Sequence, residues 1–167
     1  MVRILFVCLG NICRSPMAEA IFLQLVKKAN LVDQFEIDSA GTGHWHVGEK
    51  AHRGTLAVLN THEVPYTGRA RQITRADLGK WDYIITMDED NMEAVRLLGS
   101  SSARIVSMMS FAPERGFSEV PDPYYDGRYE LVYDLLNSAC TGLLSTLLKD
   151  RRDLFVEVAS SQPIPAT

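Results

Sequence analysis

Cys8, Arg14 and Ser15 lie in the stretch Cys8-Leu9-Gly10-Asn11-Ile12-Cys13-Arg14-Ser15, and they are the residues of this chain best suited to chemistry at phosphorus. The stretch follows Arg3-Ile4-Leu5-Phe6-Val7, a short apolar run that reads as a buried strand. Gly10 and Asn11 permit a tight turn, and a helical pattern opens at Pro16. A helix start gathers unpaired backbone N–H groups and a positive partial charge, so it attracts anions. The same field favours the thiolate of a cysteine placed there, and a thiolate is a nucleophile. A nucleophile and an arginine around one anion-binding turn suit phosphoryl transfer. On Cys-x5-Arg alone, the alternative is a buried structural cysteine in an ordinary strand-to-helix turn.

Displacing an alcohol or phenol from phosphorus also needs a proton donor for the leaving oxygen. Asp122, in Pro121-Asp122-Pro123-Tyr124-Tyr125, is the candidate. Its flanking prolines stiffen the backbone, and Tyr124 and Tyr125 suit the walls of an aromatic slot. The competing reading is a surface turn with an aspartate bonded to its own backbone. Gly43-His44-Trp45-His46 forms a second aromatic loop. Its His-x-His lacks a third ligand at convincing spacing, so no metal is expected there. Met87-Asp88-Glu89-Asp90-Asn91 lacks the spacing and closing glutamate of a calcium loop, and reads as a helix cap.

These residues need a scaffold. Strand patterns run over 3–8, 35–39, 82–86 and 104–107. Helical patterns run over 16–30, 53–60, 88–98 and 127–150, with a single turn at 75–78. In the longest, Leu131, Leu135, Ala139, Leu143 and Leu147 make one ridge, beside a second through Val132, Leu136, Cys140, Leu144 and Leu148. Alternating strands and helices predict an α/β fold with a parallel sheet covered on both faces. Ligands in such sheets bind beyond the carboxyl ends of the strands. The segment 110–126 is expected to be a long functional loop.

The chain has 167 residues, which suits one domain over 1–155 with a flexible tail at 156–167. A net charge of −4 disfavours nucleic acid and anionic membranes as partners. No apolar run approaches the length of a membrane span, and the N-terminus is too short for a signal peptide. A cytoplasmic location is expected. Three cysteines do not make a disulfide framework.

The chain resembles the low-molecular-weight protein tyrosine phosphatases from about Arg3 to Lys149. The resemblance rests on the segment 7–16, on Asp38-Ser39-Ala40-Gly41-Thr42, on Ala70-Arg71-Gln72, on Asp82-Tyr83-Ile84 with Met87-Asp88, and on Asp122-Pro123-Tyr124. It implies a four-stranded parallel sheet in a three-layer sandwich, with the phosphate-binding loop after the first strand. It implies that Cys8 is the nucleophile of a phosphocysteine mechanism, Arg14 the phosphate clamp and Asp122 the general acid and then base. Leu9, Gly10, Asn11, Ile12, Cys13 and Ser15 would form the loop, Ser39 and Asp88 would support it, and Trp45, Tyr124 and Tyr125 would line the slot. Cys13 would trap an oxidised Cys8 as a disulfide. No cofactor is implied. The implied partners are phosphotyrosine proteins, a tyrosine kinase among the candidates, with inorganic phosphate as product. One departure stands out: family members often carry a histidine where this chain has Gly68. Two other functions fit the loop. An arsenate reductase of the same fold would need further relay cysteines, and here there is only Cys140. An inactive phosphotyrosine-binding module would be expected to lack one of Cys8, Arg14 and Asp122.

Overall fold

A computed structural model describes residues 1–152; the expected tail at 156–167 and the end of the expected domain lie outside the described residues. Each strand pattern becomes a strand. β1 (Val2–Cys8), β2 (Phe35–Gly41), β3 (Tyr83–Thr86) and β4 (Arg104–Ser107) pair in parallel in the order β2-β1-β3-β4. Successive side chains of a strand point to opposite faces. Ile4, Phe6 and Cys8 accordingly join one core cluster, and Leu5 and Val7 join another. The first cluster takes the buried faces of α1 (Arg14–Lys28), α2 (Arg53–Thr61) and α5 (Tyr129–Asp150). The second takes Val95 of α3 (Glu89–Leu97), together with Leu78 and Trp81. The sheet is therefore the middle of three layers, as the strand-helix alternation implies.

β1 has β2 on one side and β3 on the other. The chain leaves β1 toward one edge and later returns to the opposite one. The carboxyl end of β1 is thus a switch point, where diverging connections open a crevice. β2 runs two residues past the expected Ser39, because its register continues to pair Val7 with Ala40 and Cys8 with Gly41. That extension keeps Ser39 alongside the loop that leaves Cys8.

α1 begins at Arg14, two residues before the expected start. Pro16 is tolerated there, because the amides of a first turn have no intrahelical acceptor to lose. The segment 110–126 is less irregular than expected. It opens within a single turn at Met108–Phe111 and contains another at Pro113–Arg115 and the short α4 (Pro123–Asp126). The Val120 amide donates to the Met87 carbonyl at 2.8 Å, which ties the segment to the end of β3.

α5 corrects one expectation, since its length and composition are those of a helix able to cross a membrane. Here Val132, Leu135, Leu136, Ala139, Cys140, Leu143 and Leu147 are buried in the core, against α1. Each of the five Val and Leu side chains among them contributes about 1.5–3 kcal/mol on full burial, so this face serves the fold.

Candidate active site

The loop after β1 turns at Asn11, whose φ of 57° lies in the left-handed region that asparagine tolerates better than most residues. Its outer carbonyls are occupied. Thr42 N–H donates to Cys8 C=O at 2.9 Å, Gly43 N–H to Leu9 C=O at 2.9 Å, and His52 N–H to Ile12 C=O at 2.8 Å. In a trans peptide the carbonyl and the following N–H point opposite ways, and the described residues contain no cis bond. The amides of Leu9, Gly10 and Cys13 therefore turn inward. The start of α1 adds its own unpaired amides, and Cys13 offers them no side-chain cap. The result is a concave set of donors facing an anion.

Cys8 lies at the floor of this cradle, with Sγ 3.0 Å from Ser15 Oγ. Asn11 Nδ2 donates to Ser15 Oγ at 2.8 Å and to Ser39 Oγ at 2.9 Å, while Asn11 Oδ1 accepts from Arg71 N–H at 3.0 Å. Both amide hydrogens and the carbonyl are used, which locks the turn. Arg71 is itself fixed by ion pairs to Asp38 at 2.9 Å and Asp77 at 3.0 Å. An oxidisable nucleophile of this kind is expected to be exposed, yet Cys8 is only 2% exposed. The loop closes around the sulfur, and access runs through the cleft alone.

Arg14 is buried beside it. Its Nη1 donates to Asp88 Oδ2 at 2.6 Å and to the Val120 carbonyl at 3.0 Å, and its Nη2 lies 3.5 Å from Asp122 Oδ2. Burial works against the guanidinium charge, but Cys8, Asp88 and Asp122 outweigh it and raise its pKa. Asp88 has two tasks. It caps α3 in a reciprocal pair with Asn91, and its second oxygen aims Arg14. Asp122 likewise accepts from Tyr124 N–H at 3.1 Å through Oδ1, while Oδ2 faces Arg14. Its side chain is 27% exposed, so it can reach a substrate oxygen.

The cleft holds about 250 Å³ and is lined by Cys8, Leu9, Gly10, Ile12, Cys13, Arg14, Trp45, His46, Asp122, Tyr124 and Tyr125. That volume suits one side chain rather than a large ligand. Trp45 stacks on His44, with ring centroids 5.6 Å apart, and Tyr124 meets Tyr125 edge-on at 5.2 Å. Of the expected site residues, Cys8, Leu9, Gly10, Ile12, Cys13, Arg14, Trp45, Asp122, Tyr124 and Tyr125 line this cleft, and Asn11, Ser15, Ser39 and Asp88 lie behind it.

Four further residues were not expected from the sequence. His46 forms cleft wall. Tyr129 Oη lies 3.7 Å from Cys13 Sγ. The same hydroxyl donates to His52 Nδ1 at 2.8 Å, because that nitrogen already accepts from Gly54 N–H. Glu19 accepts from Ser39 Oγ at 2.6 Å. Of the four, Glu19 leaves a readable signal as a lone charge inside Met17-Ala18-Glu19-Ala20-Ile21-Phe22. Burial pushes the Cys13 thiol up to about 11.

Known proteins are similar to this chain in sequence and fold. A family model described as low molecular weight phosphotyrosine protein phosphatase matches residues 3–153. The sequence is 41% identical over 155 residues to the low molecular weight protein-tyrosine-phosphatase YfkJ of Bacillus subtilis, spanning 91% of this chain and 99% of that protein. The crystal structure of YfkJ matches with a TM-score of 0.87, over 90% of this chain and 97% of that one. The phosphatase PtpA of Staphylococcus aureus is 40% identical over 151 residues, spanning 90% of this chain and 96% of that protein. The crystal structure of DARP, a Drosophila arginine phosphatase, matches with a TM-score of 0.80 at 32% identity, over 86% of this chain and 96% of that one.

Proposed function

Because the chain belongs to the low molecular weight phosphotyrosine protein phosphatase family, whose members hydrolyse phosphotyrosine, we propose the following roles at its site. The Cys8 sulfur attacks phosphorus, and an S–P bond forms as the P–O bond to the phenol breaks. Asp122 gives its proton to the departing oxygen. In the second step Asp122 takes a proton from water, whose oxygen attacks the phosphocysteine and releases inorganic phosphate with Cys8 restored. Arg14 and the inward amides hold the phosphoryl oxygens where charge accumulates. Trp45, Tyr124 and Tyr125 flank the phenol ring, and Asn11, Ser15, Ser39 and Asp88 hold the loop. The observation that carries this reading is that Cys8, Arg14 and Asp122 face one cleft, with the guanidinium 3.5 Å from the carboxylate.

The substrates are phosphoproteins, and the enzyme class that supplies them is a tyrosine kinase. Cys8 and Cys13 are both free and buried, which fits the reducing cytoplasm. Cys13 is the thiol that traps an oxidised Cys8. Cys140 is fully buried, donates to the Ala18 carbonyl at 3.7 Å and stays a thiol because burial raises its pKa. It is placed for packing, which argues against an arsenate-reducing relay. A phosphoarginine substrate would gain from a second carboxylate in the slot, and Asp122 is the one carboxylate in the cleft lining. The aryl substrate fits better.

The test is hydrolysis of phosphotyrosine, phosphoarginine and a small aryl phosphate. Aryl substrates should lead, EDTA should leave the rate unchanged, and Cys8→Ser should abolish turnover, since serine without a base is a poor nucleophile. Normal turnover by that variant would overturn the mechanism.

A further inference from the structure

Glu19 is a carboxylate that this mechanism leaves unused. It lies on α1 one turn beyond Ser15, and its Oε1 accepts from the Ser39 hydroxyl at 2.6 Å. Ser39 Oγ accepts in turn from Asn11 Nδ2, whose other hydrogen goes to Ser15 Oγ, 3.0 Å from Cys8 Sγ. Asn11 thus donates in both directions. Ser39 and Ser15 must each send their own hydrogen away from it. The Ser39 hydrogen goes to Glu19, and the Ser15 hydrogen is left for Cys8, with the Ala40 carbonyl as its second acceptor at 3.4 Å.

Tyr66 stands beside Glu19. A Cβ on residue 68 would meet the Tyr66 hydroxyl at 2.3 Å, so Tyr66 fills the space a side chain at Gly68 would need. Burial and the Glu19 charge raise the pKa of that hydroxyl, so it stays neutral, with Ser39 as its hydrogen-bonding neighbour. The groups facing Glu19 are Ser39 and Asp38 of β2, and Tyr66 and Arg71 from the segment between α2 and β3. Asp38 opposes its charge and Arg71 favours it, but Arg71 is shared with Asp38 and Asp77.

We propose that Glu19 is a positioning residue for Cys8: its carboxylate is the terminal acceptor that orders the Ser39–Asn11–Ser15 chain, and its ionisation couples turnover to pH through the support of the loop. The inference rests on Cys8 being the nucleophile. An ionised carboxylate only accepts, whereas a protonated one also donates. The protonated form competes with Asn11 for Ser39 Oγ and lets the Ser39 hydrogen turn toward Tyr66. A charge-assisted bond is exchanged for a neutral one, and the links beyond it lose the polarisation it supplied. Burial above all, helped by Asp38, pushes the Glu19 carboxyl up to about 7 against the Ser39 bond and Arg71, so the exchange falls in the neutral range.

The experiment compares wild type with Glu19→Gln, a neutral variant of nearly the same shape, from pH 5 to 9. Two quantities are read: kcat on a saturating aryl phosphate, and the rate of Cys8 alkylation by iodoacetamide in phosphate-free buffer. Wild type and variant should agree near pH 5.5. They should separate to about 5-fold at pH 8, the rate equivalent of roughly one net hydrogen bond, with the midpoint near 7. Ser39→Ala, which cuts the next link, should erase the same step. A ratio independent of pH in both measurements overturns the role of Glu19. An inactive wild type or an active Cys8→Ser overturns the site assignment instead.

Discussion

At Asp122 a single carboxylate has two oxygens with separate tasks, and a substitution can separate them. Oδ1 caps α4 and Oδ2 faces Arg14. Asparagine caps a helix about as well as aspartate, so Asp122→Asn should keep the segment in place and remove only the proton. Turnover should then fall by roughly 10²–10⁴, the scale of general acid catalysis. The loss should shrink for substrates with acidic leaving groups, which need less protonation. Equal losses across a leaving-group series would take Asp122 out of the acid role. Cys13 invites a different measurement. Peroxide converts Cys8 to a sulfenic acid, and attack by Cys13 sulfur would form the disulfide and release water. With its thiol pushed up to about 11 by burial, Cys13 reacts as the minor ionised form, so the trap should quicken as pH rises. Mass spectrometry after peroxide should find a Cys8–Cys13 linkage that increases with pH. Cys13→Ser should turn over normally but recover poorly with reductant. No linkage at any pH, with unchanged recovery in the variant, would leave Cys13 as packing.

At the scale of elements, the acid-bearing segment is held by a close contact far from the cleft. A Cβ on Gly142 of α5 would meet the Phe111 carbonyl oxygen at 1.9 Å. Alanine normally gains up to about 1 kcal/mol over glycine within a helix. Here the obstacle is backbone and must move, and overpacking of this kind costs about 1–3 kcal/mol. The clash should win, so Gly142→Ala should lower stability in urea unfolding; a variant as stable as wild type would show that the turn at 108–111 yields freely. This contact was not legible in the sequence, where Gly142 is one small residue in an apolar helix. The four strands were legible to within two residues: the central β1 and β3, buried almost throughout, read as apolar runs, and the partly exposed edge strands β2 and β4 mix apolar with polar residues. The loop, Arg14 and Asp122 were legible because their chemistry demands those residue types. Tyr66 was not, since its place follows from the space beside Gly68. The burial of Cys8 was not either, since it depends on amides of Thr42, Gly43 and His52 that are distant in the chain.

For the whole molecule, two carboxyls set the pH dependence of stability in opposite directions. Burial opposes the charge of Asp77, but bonds from Arg71, Thr74 N–H and Trp81 Nε1–H prevail and hold it at about 2. Its folded value lies below its ordinary 3.8. The unfolded chain therefore takes up the proton first, and the contribution, about 2 kcal/mol, is present above pH 4 and lost as pH falls through 2. Glu19 behaves the other way. Its folded value of about 7 lies above its ordinary 4.5. Between those values the folded chain keeps a proton that the unfolded chain has released. Its contribution, about 3 kcal/mol, is present below pH 4.5 and lost as pH rises through 7. Stability should therefore be greatest near pH 4–5 for these two groups and decline toward pH 8. Thermal unfolding of Glu19→Gln should lose most of that decline, leaving the variant more stable than wild type at pH 8, where it is also the slower enzyme. Such an exchange is expected where a strained charge is kept for function. Parallel melting curves for the two proteins between pH 5 and 8 would show that the Glu19 carboxylate costs the fold nothing, and would leave its ionisation without an energetic signature.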